Sequence, residues 1–294
     1  MNGIIVYEKK DADYNQSFID YMIEEGKKKS MTLTLCLYEK FSYGIREDGF
    51  FVQYEGKPLE TIDFVIYRCR EYLLSRQFEA MGIRVFNNSK VCEICNDKAL
   101  TYQYVAKTKI PMVPSLFVRN SEIRDILSNY KDKVVMKAVH GHGGSQVCLV
   151  DPMDEADIDA KCKLMNGENV VIQPLIQGRR QDLRVYIMGG AIFAAVLRSA
   201  KEGFRANFSL GGSVSLYSLT QEEKELIEQI TSLLALDYAG IDFIIGEQGE
   251  LIFNEIEDVV GARMLYQCSE LDVVPVYLEY IKNELYRALQ LVGE

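Results

Sequence analysis

Residues 240–257 read GIDFIIGEQGELIFNEIE, and this stretch predicts a β-hairpin. A two-residue turn at Gln248-Gly249 suits an x-Gly pair and would align the strands so that Ile245 faces Ile252. Because successive side chains of a strand point to opposite faces, the hairpin then has one apolar face and one acidic face. The predicted apolar face consists of Ile241, Phe243, Ile252 and Ile256.

The acidic face brings three carboxylates together. Asp242 lies directly opposite Glu255 in this alignment, and Glu257 follows on the same face. Like charges that face each other on a sheet are destabilising, and a cation between them reverses the sign. Carboxylate oxygens suit Mg²⁺ or Mn²⁺, which usually also bind substrate phosphates. The alternative is a solvated outer face that binds nothing.

The rest of the chain divides into two kinds of pattern. Short apolar runs alternate with helical spacing over the first third, from Gly3 to Phe86, and this alternation predicts a parallel α/β layer. After about residue 90 the pattern predicts an α+β unit with much antiparallel sheet. Within it, Thr220 and Glu223 form a capping box ahead of an amphipathic helix.

Composition excludes several classes of protein. The 294 residues carry 33 Lys plus Arg against 43 Asp plus Glu, a net charge of -10. This balance argues against nucleic-acid binding, which needs a basic surface. The longest uncharged apolar stretch, Val185–Leu197, is too short for a membrane helix. Seven scattered cysteines and an apolar start too short for a secretory signal indicate a reducing compartment, so we expect a cytoplasmic protein.

A lysine followed by a glycine-rich loop is a second candidate feature. Lys137 ends an apolar run, and residues 140–145 read HGHGGS. Backbone N–H groups of such a loop can bind phosphate oxygens, and the ammonium adds a positive charge. Neither a P-loop nor a dinucleotide-binding fingerprint occurs in the chain. A plain flexible loop is the alternative.

The CxxC at Cys92–Cys95 has no second pair at zinc-binding spacing, which favours buried thiols.

Cations on apolar strands form the third feature. Arg184, Arg198 and Arg205 occur within or just after predicted strands, and Lys98 lies upstream. Each by itself suits a surface ion pair. Together with a carboxylate cluster and a glycine-rich loop, they indicate a site for a polyanion.

This ordered set resembles the ATP-grasp superfamily, most closely its RimK-like carboxylate–amine ligases, over about residues 60–268. Asn96-Asp97-Lys98 with Ile110-Pro111 and Pro114 resembles the family's N-D-K…G-[IV]-P-x-P opening. Asp182-Leu183-Arg184 is similar to its D-[IL]-R, and residues 204–207 with Gly211-Gly212 to its F-R-x-N…G-G. One departure is that Glu257 stands where the family usually has Asn, which adds negative charge at the metals.

The resemblance implies a role for each candidate residue. Lys98 and Lys137 would bind ATP phosphates, Gly143 and Gly144 would belong to the glycine-rich lid, and Arg198 would act with Lys137 at the reacting phosphate. Asp242, Glu255 and Glu257 would bind two Mg²⁺ or Mn²⁺ ions. The other implied ATP-binding residues are Gln173, Pro174 and Leu175, whose backbone would recognise adenine, and Asp182, Arg205 and Asn207.

The resemblance also implies a fold and a reaction. The fold is α/β plus α+β, with an N-terminal parallel α/β domain (1–93), a central lobe (94–172) and a C-terminal lobe with the metal site (173–294) enclosing ATP. In the reaction, a carboxylate attacks the γ-phosphate of ATP, and an amine then attacks the acyl phosphate. Amino acids such as glutamate are expected substrates, and a homo-oligomer is an open expectation.

Arg68, Arg70 and Arg263 are candidate substrate contacts, because the first two end a strand of the α/β domain and the third follows the metal-binding strand. The competing interpretation for each is an ordinary ion pair. Two other functions stay open at this point. They are a non-catalytic ATP-binding protein on the same fold and a metal-dependent phosphoesterase.

Overall fold

A parallel sheet formed by the N-terminal part of the chain opens the fold. In this computed structural model, which describes residues 1–176, 178–199 and 213–292, the strand order is β2-β1-β6-β7, with all pairs parallel. The elements are β1 (Asn2–Tyr7), α1 (Lys9–Lys28), β2 (Thr32–Leu37), β3 (Phe41–Arg46), β4 (Gly49–Tyr54), β5 (Lys57–Pro58), β6 (Phe64–Tyr67), α2 (Leu73–Ala80), β7 (Arg84–Phe86) and α3 (Ser89–Cys95). The predicted parallel α/β layer is confirmed. Strands β3, β4 and β5 form a separate small antiparallel sheet, for which the sequence pattern predicted no element.

An antiparallel sheet of order β10-β9-β11-β8 follows. Its elements are α4 (Lys98–Val105), β8 (Leu116–Val118), α5 (Ile123–Leu127), β9 (Val134–Ala138), β10 (Val147–Val150), α6 (Glu155–Met165) and β11 (Val170–Pro174). Ile123, Leu127, Ile158 and Met165 of the two helices pack on one face of this sheet. The other face is turned towards the last sheet of the chain.

The last sheet is antiparallel with the order β14-β13-β12-β15-β16. Its part of the chain contains β12 (Gly178–Met188), β13 (Ala191–Ser199), β14 (Ser213–Leu216), α7 (Gln221–Thr231), β15 (Tyr238–Gly246), β16 (Leu251–Glu257), α8 (Arg263–Cys268) and α9 (Val273–Val292). The predicted capping box starts α7, since the Thr220 hydroxyl accepts from the Glu223 N–H. Helices α8 and α9 share one apolar core with α1 and β1, which joins the two ends of the chain. The boundaries after residues 93 and 172 stay predictions.

The β15–β16 hairpin has the predicted facing carboxylates but a different turn. Gly246 N–H donates to the Glu250 carbonyl at 3.0 Å, so the turn has three residues, with Gly249 at a φ of +93°. A two-residue turn was therefore wrong, and Ile252 faces Ile244 instead of Ile245. Phe253, not Ile252, occupies the apolar face.

A β-bulge explains why the acidic face was nevertheless predicted correctly. Phe243 pairs with Phe253, whereas Asp242 pairs with Glu255, so Asn254 is an extra residue on β16. Such a bulge shifts the pairing by one residue. It cancels the shift made by the longer turn, and Asp242 faces Glu255 as expected.

Candidate active site

A cavity of about 890 Å³ lies between the sheets and contains most of the predicted site residues. Part of its wall is apolar and includes Val113, Val135, Leu175 and Ile244. The predicted adenine segment, Gln173 to Leu175, belongs to the lining, and Gln173 pairs with Val135 on the neighbouring strand. The Gln173 amide donates to Ser115 Oγ at 2.8 Å, so its side chain is held by the protein. Apolar walls suit a flat ring system.

Two lysines occupy the middle of the cavity. Lys137 on β9 is buried, and its Nζ donates to Asn254 Oδ1 at 2.8 Å. Lys98 is the first residue of α4, which Asp97 caps, and its Nζ donates to the Gly141 carbonyl. Burial and the charge of Lys137 lower the pKa of Lys98, and the nearby Glu255 opposes this effect. The pair therefore places two positive charges in a desolvated space.

The glycine-rich loop borders the same space. Gly143 and Gly144 have φ values of +59° and +73°, which side chains with a Cβ rarely adopt. His142 lines the cavity, and its pKa is lowered to about 4 by desolvation and by the charges of Arg70 and Lys98. Its imidazole is thus neutral near pH 7 and adds no charge there.

Two arginines and two aspartates form a network on the acidic face of the last sheet. Arg184 donates from Nε to Asp242 Oδ1 and from Nη2 to Oδ2, each at 2.7 Å. Arg198 donates from Nη2 to Asp242 Oδ2 at 2.7 Å and pairs through two nitrogens with Asp182. Burial by itself would raise the pKa of Asp242, but Arg184 and Arg198 outweigh it and hold the pKa well below its usual value. Burial and the charge of Asp242 raise the pKa of Asp182 to about 6, although Arg198 opposes them.

Glu255 and Glu257 complete the acidic face beside this network. Both line the cavity, and Glu257 Oε2 lies 2.7 Å from Arg184 Nη1. The Glu257 side chain is 39% exposed, although this oxygen is buried. Among the described residues the oxygen accepts no hydrogen bond, so its contact with Arg184 is an ion pair without hydrogen-bond geometry.

The three candidate substrate arginines all make contacts within the protein. Arg68 is buried and donates to the Tyr7 hydroxyl at 3.2 Å and to the Val260 carbonyl at 2.7 Å. Arg70 pairs with Asp11 at 2.6 Å. Arg263 lies 3.9 Å from the centre of the Tyr14 ring and donates to the Tyr14 carbonyl at 2.9 Å. All three line the cavity and also have partners within the protein.

Several residues fall outside these assignments. Arg205 and Asn207 lie outside the described residues. Sequence reasoning placed Arg184 among the cations of a polyanion site but predicted no contact with Asp242, and it gave no role to Asn254. The two-residue spacing of Asp182 and Arg184, which puts both on one face of a strand, could have indicated that Arg184 lies beside the carboxylates. Nothing in the sequence pattern indicates the bulge that turns Asn254 towards Lys137.

Cys92 is buried as expected, but Cys95 is partly exposed and lines the cavity.

The model of the RimK-like ATP-grasp domain matches residues 95–281 of the chain. The chain belongs to the RimK-like ATP-grasp family. It is an enzyme of the ligase class, since its named relatives are ligases.

Two relatives match this RimK-like chain over nearly its full length. The uncharacterized protein MG011 of Mycoplasma genitalium is 29% identical over 294 residues, which cover 98% of this chain and 95% of that protein. A probable alpha-L-glutamate ligase of Xanthomonas euvesicatoria pv. vesicatoria is 27% identical over 277 residues, with 91% and 94% covered.

A solved structure confirms the ATP-grasp fold. The ATP-grasp ligase PsnB, complexed with Mg, ADP and a variant of its minimal precursor, superimposes with a TM-score of 0.69. The two chains are 16% identical, and the match covers 96% of this chain and 98% of that one.

Among the described helices of the RimK-like chain, none is both long and apolar enough to cross a membrane.

The carboxylates of the acidic face fit a divalent metal ion, as the family implies. A carboxylate offers about four acceptor positions, and Asp242 uses three of them for arginines. One position on Oδ1 is left for a metal, and Glu255 and Glu257 add further oxygens that Mg²⁺ prefers. In their present arrangement, no three His, Cys, Asp or Glu side chains of the described residues are grouped closely enough to hold an ion. The donor chemistry therefore fits, with Asp242 limited to a single ligand atom.

Proposed function

We propose that this RimK-like ligase joins the carboxylate of one substrate to the amine of another and uses ATP to activate the carboxylate. The observation that carries the proposal is one cavity with three kinds of wall. Apolar side chains, the ammonium groups of Lys98 and Lys137, and carboxylates with arginines all line it. Lys137 lies two residues from the apolar Val135 on β9 and donates to Asn254, the neighbour of Glu255, so a lysine lies between the other two kinds of wall. The three kinds of wall match the adenine, the phosphates and the metal-bound γ-phosphate of an ATP molecule.

The chain's residues act in this reaction mainly by binding and positioning, as phosphoryl transfer requires. The ammonium groups of Lys98 and Lys137 would bind phosphate oxygens. Arg198 uses Nε and Nη2 for Asp182 and Asp242, and its Nη1, which has no hydrogen-bond partner among the described residues, would donate to the γ-phosphate or to the acyl intermediate. A divalent ion held by Asp242, Glu255 and Glu257 would neutralise phosphate charge.

The bonds change in two steps. A substrate carboxylate oxygen attacks the γ-phosphorus, and the bond to ADP breaks. The amine nitrogen then attacks the acyl carbon, inorganic phosphate leaves with the bonding electron pair, and the nitrogen loses a proton. The desolvated cavity limits hydrolysis of the acyl phosphate between the steps.

An amino acid such as glutamate is the proposed substrate of one half-reaction. Arg70 and Arg263 line the cavity, and each is fixed by a partner, Asp11 or Tyr14. Fixed guanidinium groups bind carboxylates with defined geometry. Names of relatives such as the Xanthomonas protein support this substrate class. Arg68 is the weakest of the three candidates, because the Tyr7 hydroxyl and the Val260 carbonyl already engage it.

The test measures ADP formation from Mg–ATP with pooled amino acids and small carboxylic acids, followed by mass spectrometry. We expect ADP release that depends on one pool and a product lighter by one water than its two components. Arg198→Ala should abolish both, and the exposed Arg119→Ala serves as its control. ATP binding without any turnover in these pools or with peptides would contradict the proposal. Release of phosphate from simple esters without ATP would support a phosphoesterase instead.

A further inference from the structure

Arg184 links two carboxylates that lie on different strands. It sits opposite Asp242 on the neighbouring strand, and its Nε and Nη2 both donate to that carboxylate at 2.7 Å. Its remaining nitrogen, Nη1, lies 2.7 Å from Glu257 Oε2 on β16, one strand further away. A single guanidinium thus spans β15, and Arg184 is buried there.

The arginine stem passes beside a glycine. Gly240 on β15 pairs directly with Glu257 on β16 and lies on the same face as Asp242. A Cβ at Gly240 would lie in ordinary van der Waals contact with Arg184, 3.4 Å from its Cδ and 3.5 Å from its Nε, and only Val260 Cγ2, at 2.8 Å, would be too close. The link between the two carboxylates is therefore made by the guanidinium group of Arg184 itself.

We propose that Arg184 is a positioning residue that fixes the carboxylates of Asp242 and Glu257 relative to each other for metal–nucleotide binding. The inference rests on the proposed function, because it assumes that these carboxylates hold a metal ion with ATP. Arg184 need not touch ATP or the substrates for this role.

The chemistry of the guanidinium group explains why an arginine is required. Its planar fork makes two parallel bonds to one carboxylate and presents a third nitrogen at a fixed angle. A lysine carries the same charge but can place only a single nitrogen. Without the third contact, the partly exposed Glu257 side chain would regain its rotamers, and two like charges would lie on adjacent strands with no fixed cation between them.

Measuring metal binding distinguishes two possible roles of Arg184, which are positioning of the carboxylates and simple neutralisation of their charge. Mn²⁺ binding is titrated by electron paramagnetic resonance in the presence of a non-hydrolysable ATP analogue, for the wild type, Arg184→Lys and Arg184→Gln. Positioning predicts that both variants weaken Mn²⁺ binding by roughly 10–100-fold. Neutralisation predicts that Arg184→Lys resembles the wild type and that Arg184→Gln binds Mn²⁺ more tightly. Either of these last results would overturn the inference.

A further variant protects the test against loss of folding. In a Glu257→Gln background, Arg184→Lys should have a smaller effect than in the wild type, because the charged contact to residue 257 is already gone. An equal effect in both backgrounds would refute the coupling.

Thermal unfolding and circular dichroism of each metal-free variant show whether it is folded, and Arg119→Gln on the surface is the matched control. Failure of the proposed function would look different from failure of this inference, because the wild type itself would then bind no Mn²⁺ with the nucleotide analogue.

Discussion

Replacing Asp242 by Asn should destabilise the metal-free protein by about 3–5 kcal/mol. Asp242 is 1% exposed and accepts three hydrogen bonds of 2.7 Å from Arg184 and Arg198. An Asn side chain with its oxygen at the position of Oδ2 keeps two of these bonds, but it turns an N–H₂ group towards Arg184 Nε and removes the charge. Removing one partner of a buried ion pair costs about 3–5 kcal/mol, because the opposite charge is left buried without its counter-ion.

The assay is urea unfolding with a chelator present, followed by circular dichroism near neutral pH. For a chain of this size the predicted loss corresponds to a fall of about 6–20 °C in the melting temperature. Asp159→Asn is the matched control, because Asp159 also pairs with an arginine, Arg124, but on the surface. Exposed pairs contribute about 0–1 kcal/mol. A loss for Asp242→Asn no larger than that of the control would refute the reasoning.

The same variant has a pH signature. The folded pKa of Asp242 lies below its ordinary value, so its contribution to stability is complete above about pH 4 and is lost as the pH falls through the folded pKa. The difference in stability between the wild type and Asp242→Asn should therefore shrink in strong acid. A difference that stays constant with pH would mean that the charge of Asp242 does not contribute.

Four further outcomes are expected. Lys137→Met should weaken binding of an ATP analogue by about 10–100-fold in calorimetry, since a charged contact of about 1.5–3 kcal/mol is lost; unchanged affinity would exclude Lys137 from the phosphate site. The pKa of His142 should be near 4 in an NMR titration, where its signal is easily resolved because the chain has only two histidines. Bound ATP should raise this pKa, because its negative charge compensates the positive charges of Arg70 and Lys98. Because the unfolded His142 binds its proton at higher pH than the folded one, stability should fall as the pH drops from about 6.5 towards 4, and His142→Gln should remove this part of the pH dependence. Arg263→Ala should raise the KM of the acid or amine substrate far more than that of ATP, and equal effects would contradict its assignment. Thr220→Ala should cost about 1 kcal/mol in urea unfolding through loss of the helix cap, with no change in ATP affinity.

Local sequence patterns determined several secondary-structure elements and one feature of the candidate site. The alternation of short apolar runs with helical spacing predicts the parallel sheet, since strand and helix periods are written in adjacent residues. The capping box at Thr220 and the facing of Asp242 and Glu255 are also local features, and the structure contains both. In contrast, the pairing of Ile245 with Ile252 failed because one extra turn residue changes every partner until a bulge compensates.

The residues that distinguish the site depend on contacts between strands distant in sequence. Arg184 reaches Glu257 only because β12 lies beside β15, which in turn lies beside β16. Asn254 meets Lys137 because the bulge brings β16 to a strand of another sheet. The sequence by itself determined the chemical types of residue and the order in which they occur along the chain. Only the tertiary structure decided which charges are paired and which donors are left for a ligand, because pairing depends on distances of a few ångströms between segments that no local period relates.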